Sequence, residues 1–271
     1  MGELIVLGLV MLGTGVVGGL LAGALGVGGG IVIVPMLELA LGFVGVDAAI
    51  RMHIAVATSL ATIIPTSISS SRAHYRRSAV DLEIARLWAP WIFLGSLAGT
   101  WVASRVDSRV LAAIFASVAV LVAARMIFQV RERPLTSRVP RSQRLAPVPG
   151  LIGFISSMIG IGGGSMSVPV MTLLGEPIHR AVGTAALFGL VIAVPGTVGF
   201  MVAGYGNPLL PVGSIGFVNL PGLVLIAPTT VLAAPWGARL AHALDRRQLS
   251  ILFGVFLLLV AVRMFLRALP A

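Results

Sequence analysis

Between Gly26 and Met36 the chain reads GVGGGIVIVPM, and between Gly160 and Val170 it reads GIGGGSMSVPV. Both stretches carry glycine at the first, third, fourth and fifth positions and Val-Pro at the ninth and tenth. Each interior glycine costs a helix roughly 0.5–1 kcal/mol relative to alanine. Scattered glycines let membrane helices approach closely. A matched cluster closed by proline goes further, because it interrupts an apolar run twice, at corresponding places. Paired interruptions in two halves of a chain point to a transporter's binding site.

The runs that are interrupted belong to a polytopic membrane protein. Charged residues make up 10% of the 271-residue chain, against about a quarter in a soluble domain. Mean hydropathy is +1.05, and several apolar runs reach the roughly 20 residues that cross a bilayer. No stretch is long and polar enough for a soluble module, so the chain reads as one membrane domain. All 19 basic residues are arginine, and the net charge is +10. Arginine in connecting segments follows the positive-inside bias, whereas a nucleic-acid surface would need a soluble fold to carry it. Cysteine is absent, which excludes disulfides, thiol catalysis and thiolate metal sites. The apolar N-terminus lacks a basic flank and a small-residue cleavage site, and reads as a retained membrane segment.

Apolar segments fall at about 4–25, 31–43, 48–71, 86–104 and 108–129, then at about 148–160, 165–174, 179–203, 218–241 and 247–268. Residues 1–130 form a first transmembrane repeat, 131–147 a basic cytoplasmic linker, and 148–271 a second repeat. Other features recur in the same order: His53 then Thr58 against His179 then Thr184, Ala89-Pro90 against Ala227-Pro228, Gly99 against Gly237, Asp107 against Asp245, and Arg125-Met126 against Arg263-Met264. Shared order argues for an internal duplication.

A segment of twelve or thirteen residues covers about 18–20 Å, short of the roughly 30 Å hydrocarbon core. The short segments beside each glycine motif either join into one broken crossing or fold back as a hairpin. Broken crossings give four spans per half and parallel halves; hairpins leave three, so the halves are inverted. With the linker inside, the inverted arrangement also brings Arg180, Arg239, Arg246 and Arg247 inside and leaves the uncharged loop Tyr205–Phe217 outside. Arginine bias favours inversion. The expected fold is therefore all-α: two inverted repeats, each of one short glycine-tipped helical hairpin plus three transmembrane helices. Both termini then lie outside.

Backbone N–H groups at a glycine turn, followed by a helix N-terminus, make a concave cluster of donors suited to an anion. Irregular backbone at membrane depth must be buried in protein or line a wet cavity. Two such motifs entering from opposite faces should bring Gly26–Gly30 and Gly160–Gly164 together near the midplane. The candidate substrate-binding residues are Gly28, Gly29, Gly30, Gly162, Gly163 and Gly164, with Ser165 just beyond. Thr58, Ser59 and Thr184 are candidate hydrogen-bond donors, against the alternative of bonding back to their own helices. His53 and His179 are candidates for gating or protonation, and Pro35 and Pro169 for breaking the helices. No GxxxxGK[ST], HExxH, GxSxG or catalytic carboxylate pair occurs, so no catalytic residue, metal site or cofactor is expected. Carboxylates stay near segment ends, at Glu38 and Glu176, unlike the intramembrane acids of proton pumps and cation carriers.

The paired GxGGGxxxVP motifs, each followed by a His-x4-Thr segment, resemble the sulfite exporter TauE/SafE family, also called the toluene sulfonate uptake permease family. The resemblance spans essentially the whole chain. It implies a multi-pass transporter of the bacterial inner (plasma) membrane that moves sulfite, organosulfonates or other small organic anions. By match of motif it carries over Gly26, Gly28, Gly29, Gly30, Pro35, Gly160, Gly162, Gly163, Gly164 and Pro169. Ala185 stands opposite Ser59, which breaks symmetric use of that hydroxyl. The expected partners are a small anionic substrate and the lipid bilayer, with no nucleic acid and a homo-oligomer left open. The alternative function is a non-transporting membrane scaffold or assembly factor that uses glycine faces for packing.

Overall fold

The computed structural model describes residues 2–25, 29–128, 136, 139, 146–243 and 246–268. Gly28 and Asp245, and most of the basic linker, lie outside the described residues. The first half builds α1 (Gly2–Leu25), α2 (Gly30–Phe43), α3 (Ala48–Arg76), α4 (Leu82–Ala103) and α5 (Ser108–Phe128). The second builds α6 (Pro147–Ile159), α7 (Gly164–Leu173), α8 (Ile178–Ala203), α9 (Leu220–Ala243) and α10 (Arg246–Ala268). A short antiparallel ribbon, β1 (Ser214–Ile215) with β2 (Val218–Asn219), precedes α9. The described residues are thus all-α apart from this ribbon.

Among the described residues five helices, α3, α5, α8, α9 and α10, are long and apolar enough to cross a membrane. Along its apolar window α3 is 72% buried, against 28% for α10. That difference places α3 at the centre and α10 at the periphery, its apolar outer face left for lipid.

The two halves interlock. α1 packs on α9, and α6 packs on α4, so the first helix of each half lies against the fourth of the other. Small residues make these approaches possible. A methyl group at Gly95 would strike the Gly150 carbonyl, and one at Gly99 the carbonyl of Phe154. Gly15 sits against Ile226 and Thr229, Gly19 against Thr230 and Ala233, and Gly237 against Leu20. Residue numbers rise together in both interfaces, so α1 and α9 run parallel, as do α4 and α6.

The remaining cross-half pairs join like to like. Along α8, Gly183 meets Ala79 and His74, Gly189 meets Ser67, and Gly196 meets Leu60. Numbers fall on α3 as they rise on α8, so these third helices run antiparallel. The fifth helices do the same: Ser250 donates to the Met126 carbonyl at 3.0 Å, while Gly254 faces Ala123 and Ile127.

Pro35 and Pro169 lie inside α2 and α7, in contrast to the expectation that they break the helices. The interruption falls upstream, at the glycines. A single missing N–H leaves the helix continuous because the turns on both sides keep their own bonds. Leu82 starts α4 and Arg76 ends α3, each several residues beyond the apolar run that signals it. Asp81 causes the early start: its Oδ1 accepts the N–H groups of Glu83 and Ile84, both at 2.9 Å.

Candidate functional site

The two glycine motifs touch. A methyl group at Gly30, the first residue of α2, would strike the carbonyl oxygen of Gly160 and lie 3.0 Å from Ile161 Cα and 3.2 Å from the Ile63 side chain. Gly160 ends α6 in the left-handed region, with φ of 70°, where its N–H reaches the Ser156 carbonyl. Its own Cα faces Val34 of α2 and the backbone of Val56 in α3. Gly162 rests on Ile63, and Gly163 on Ala185, Phe188 and Gly189 of α8. Gly29 lies near the Gly18 carbonyl of α1 and the Thr230 side chain of α9. The N-terminal ends of α2 and α7 therefore converge beside the middle of α3.

Ser59 ties α3 to this junction by donating to the Gly160 carbonyl at 2.8 Å. Ser165 and Ser167 of α7 are both buried, and Ser167 N–H donates to the Gly163 carbonyl at 2.8 Å. Among the described residues the buried hydroxyls of Ser156 and Ser167 have no hydrogen-bond partner. Buried polar groups are nearly always paired, so two unpaired hydroxyls on the helices flanking one glycine turn mark a place where a polar ligand could be met.

Thr58 and Thr184 are fully buried and do related work. The Thr58 hydroxyl accepts the N–H of Asn219 at 2.9 Å, and the Thr184 hydroxyl accepts the N–H of Asp81 at 2.9 Å. Asn219 and Asp81 precede α9 and α4, the fourth helices of the two halves, and cap them: Asn219 Oδ1 takes the Gly222 N–H at 2.8 Å. Each threonine thus holds the first turn of a helix from the opposite half, rather than bonding back along its own. Among the described residues each hydroxyl accepts one cap N–H and its own proton has no acceptor.

His53 is buried, stacks on Phe217 at 5.0 Å, and its Nε2 meets the Val106 carbonyl at 3.0 Å. That contact needs the proton on Nε2 and leaves Nδ1 without a partner among the described residues. His179 sits exposed in the first turn of α8, so the two histidines have unlike surroundings despite their matching positions. No group of His, Asp and Glu suited to a metal occurs among the described residues.

Glu38, near a segment end in sequence, lies inside a cluster of arginines. It is buried on α2, and Arg51, Arg263 and Arg267 surround it. Arg51 Nη1 stands 3.7 Å from Oε1, Arg263 Nη2 stands 3.5 Å from Oε2, and Arg267 Nη1 bonds Oε1 directly. Arg51 also donates through Nε and Nη2 to the Val46 carbonyl, at 3.1 and 2.8 Å. Arg180 joins Asp81 at 2.9 Å and Glu176 at 3.5 Å, which links the cap of α4 to the start of α8. Asp81 and Asn219 could have been found from sequence, since each stands just before a helix as a side-chain cap. Their threonine partners carry no local signal.

Interlocked helix halves, apolar outer faces and helix ends meeting inside the bundle define a polytopic helical membrane transporter. The sulfite exporter TauE/SafE family model matches residues 11–264, and the chain belongs to that family. It is 36% identical over 255 residues to a probable membrane transporter protein of Haemophilus influenzae, covering 93% of this chain and 96% of the relative. A probable membrane transporter protein of Methanocaldococcus jannaschii is 24% identical over 262 residues, covering 93% of each chain. Another, from Bacillus subtilis, is 27% identical over 213 residues, with 71% of this chain and 78% of the relative covered. No solved structure matches. The chain is a multi-pass membrane transporter and not an enzyme; its partners are the bilayer and a transported small molecule.

Proposed function

We propose that the transported molecule is a small anion, sulfite or an organosulfonate or other small organic acid. The observation that carries this reading is the contact of Gly30 with Gly160 and Ile161. It brings the starts of α2 and α7 to one place, and helix N-termini present unpaired N–H groups and partial positive charge to an anion. Gly28, Gly29, Gly30, Gly162, Gly163 and Gly164 supply the approach, and the buried hydroxyls of Ser165, Thr58, Ser59 and Thr184 stand on the helices around it. His53 and His179 are the groups that would gate or protonate the path.

The halves are inverted repeats in this reading, with residues 131–147 as a cytoplasmic linker. Its support is the antiparallel course of α3 against α8 and of α5 against α10. Equivalent helices related by an axis in the membrane plane must run in opposite directions. The α1–α2 and α6–α7 pairs are then hairpins that enter from opposite faces.

The experiment is flux of sulfite and methanesulfonate into liposomes that hold the purified protein, compared with the Gly29→Leu variant. Wild-type flux that the variant abolishes, with the variant still inserted, is expected. Folded wild-type protein that moves neither anion, nor acetate, would refute the anion reading.

A further inference from the structure

A cavity of about 720 Å³ opens away from the glycine junction, walled by the starts of α3 and α5, by Glu38 of α2 and by the end of α10. Its lining sets Arg51, Arg109 and Arg267 against Glu38, Asp47 and Asp107, and Arg263 beside Glu38 adds one further positive charge. Ala48 and Ala49 of α3, and Ser108 and Arg109 of α5, line it, so the first turns of two helices form part of its wall. Glu38 carries one charge against three guanidinium groups, which leaves two positive charges in that cluster uncompensated. Arg109, exposed on the wall, makes no ion pair among the described residues.

The other two acids on the wall precede α3 and α5 and answer the helix ends. Asp47 Oδ1 accepts the Ala49 N–H at 2.8 Å, and the Asp107 carbonyl accepts the N–H groups of Val110 and Leu111, so both residues sit at the heads of the helices whose positive ends they offset. Glu38 is already engaged by Arg267. Arg51 spends Nε and Nη2 on Val46, whereas Arg267 and Arg109 both line the cavity with N–H groups to spare.

We propose that this cavity is a second anion site, a mouth where a small oxyanion is held by Arg109 and Arg267 before or after it passes the glycine junction. The ligand is a sulfonate, sulfite or carboxylate with one oxyanion group, since guanidinium pairs with such a group through parallel N–H bonds. The ligand class rests on the anion reading of the function; the position of the site does not.

The test is a thermal-shift titration of the full chain in detergent with sodium methanesulfonate, using gluconate as the background anion so that chloride does not compete. Arg109→Gln, which breaks no ion pair among the described residues, and Arg267→Gln are compared with wild type and with Arg86→Gln, an exposed arginine of α4 outside the cavity wall. Binding to the folded state raises apparent stability by mass action, so the half-saturating concentration can be read directly. We expect both cavity arginine variants to raise that concentration about tenfold, the loss of a charge-assisted bond, while Arg86→Gln stays within about twofold of wild type. An Arg109→Gln curve that overlays wild type, or no stabilisation of any protein, overturns the mouth site. Titrations that follow the arginines in a protein without flux of these anions uphold the mouth and refute the anion reading of the transported molecule. Flux without arginine-dependent binding does the reverse.

Discussion

The hydroxyl of Thr184 accepts the backbone N–H of Asp81 at 2.9 Å, which fastens the third helix of one half to the head of the fourth helix of the other. Thr58 and Asn219 repeat the bond with the halves exchanged. Asp81 and Asn219 are both buried, so water cannot substitute for the threonine. Thr184→Val keeps the side-chain shape and strands the N–H, at a cost of about 1–3 kcal/mol. Thermal unfolding in detergent should show that loss for Thr184→Val and for Thr58→Val, with Thr184→Ser near wild type. The double variant should sum the two losses, because the bonds belong to separate networks. A wild-type melting curve for Thr184→Val would mean that the cap is satisfied by another group.

Glu38 should be costly to neutralise. Glu38→Gln leaves Arg51, Arg263 and Arg267 crowded together without their shared carboxylate. Breaking a buried pair costs about 3–5 kcal/mol, and the lower end applies because the three arginine side chains are partly exposed. Adding Arg267→Gln to Glu38→Gln should restore part of the stability, since it removes one of the stranded cations. Strict additivity of the two substitutions would show that Arg267 and Glu38 do not act together.

The glycine tips divide by what stands behind them. A methyl group at Gly29 would meet the end of the Ile33 side chain at 3.1 Å, which can turn aside. At Gly30 the obstacle is the Gly160 carbonyl, and at Gly163 it is Phe188 Cβ at 2.8 Å with Ala185 O at 3.1 Å. Backbone cannot yield so readily, and overpacking of this kind costs about 1–3 kcal/mol. Gly30→Ala and Gly163→Ala should therefore lower the melting temperature, while Gly29→Ala leaves it near wild type and slows flux. Equal melting temperatures for all three would show that the helix starts are not held together in the membrane.

How much of this was legible beforehand follows from the range of each signal. The duplicated glycine clusters, the segments too short to cross and the two-half order are local composition, and they led to the meeting of Gly30 with Gly160. α4 starts before its apolar stretch because Asp81 capping, with the Arg180 ion pair to the same carboxylate, outweighs hydropathy there. Thr58 and Thr184 were recognisable as a pair, yet their partners lie 161 and 103 residues away. Glu38 sits near a segment end in sequence, and only packing shows that α3 and α10 bring three arginines to it. The ribbon before α9 is two residues per strand, too short for a period-2 pattern to register.

Helix direction yields the sharpest test of the inverted arrangement. α3 ends in the turn that holds Ser78, and α8 ends before Tyr205; both residues are exposed. Because α3 and α8 run antiparallel, the two turns should face opposite sides of the membrane. The chain has no cysteine, so Ser78→Cys and Tyr205→Cys each create a single labelling site without background. A membrane-impermeant maleimide applied to intact cells should label the Tyr205 variant and spare the Ser78 variant, with both labelled after permeabilisation. That pattern also sets Arg72, Arg76, Arg77 and Arg180 on the inner side, as the arginine bias requires. Labelling of both variants in intact cells, or of neither, would mean parallel halves, and the glycine tips would then enter from one face.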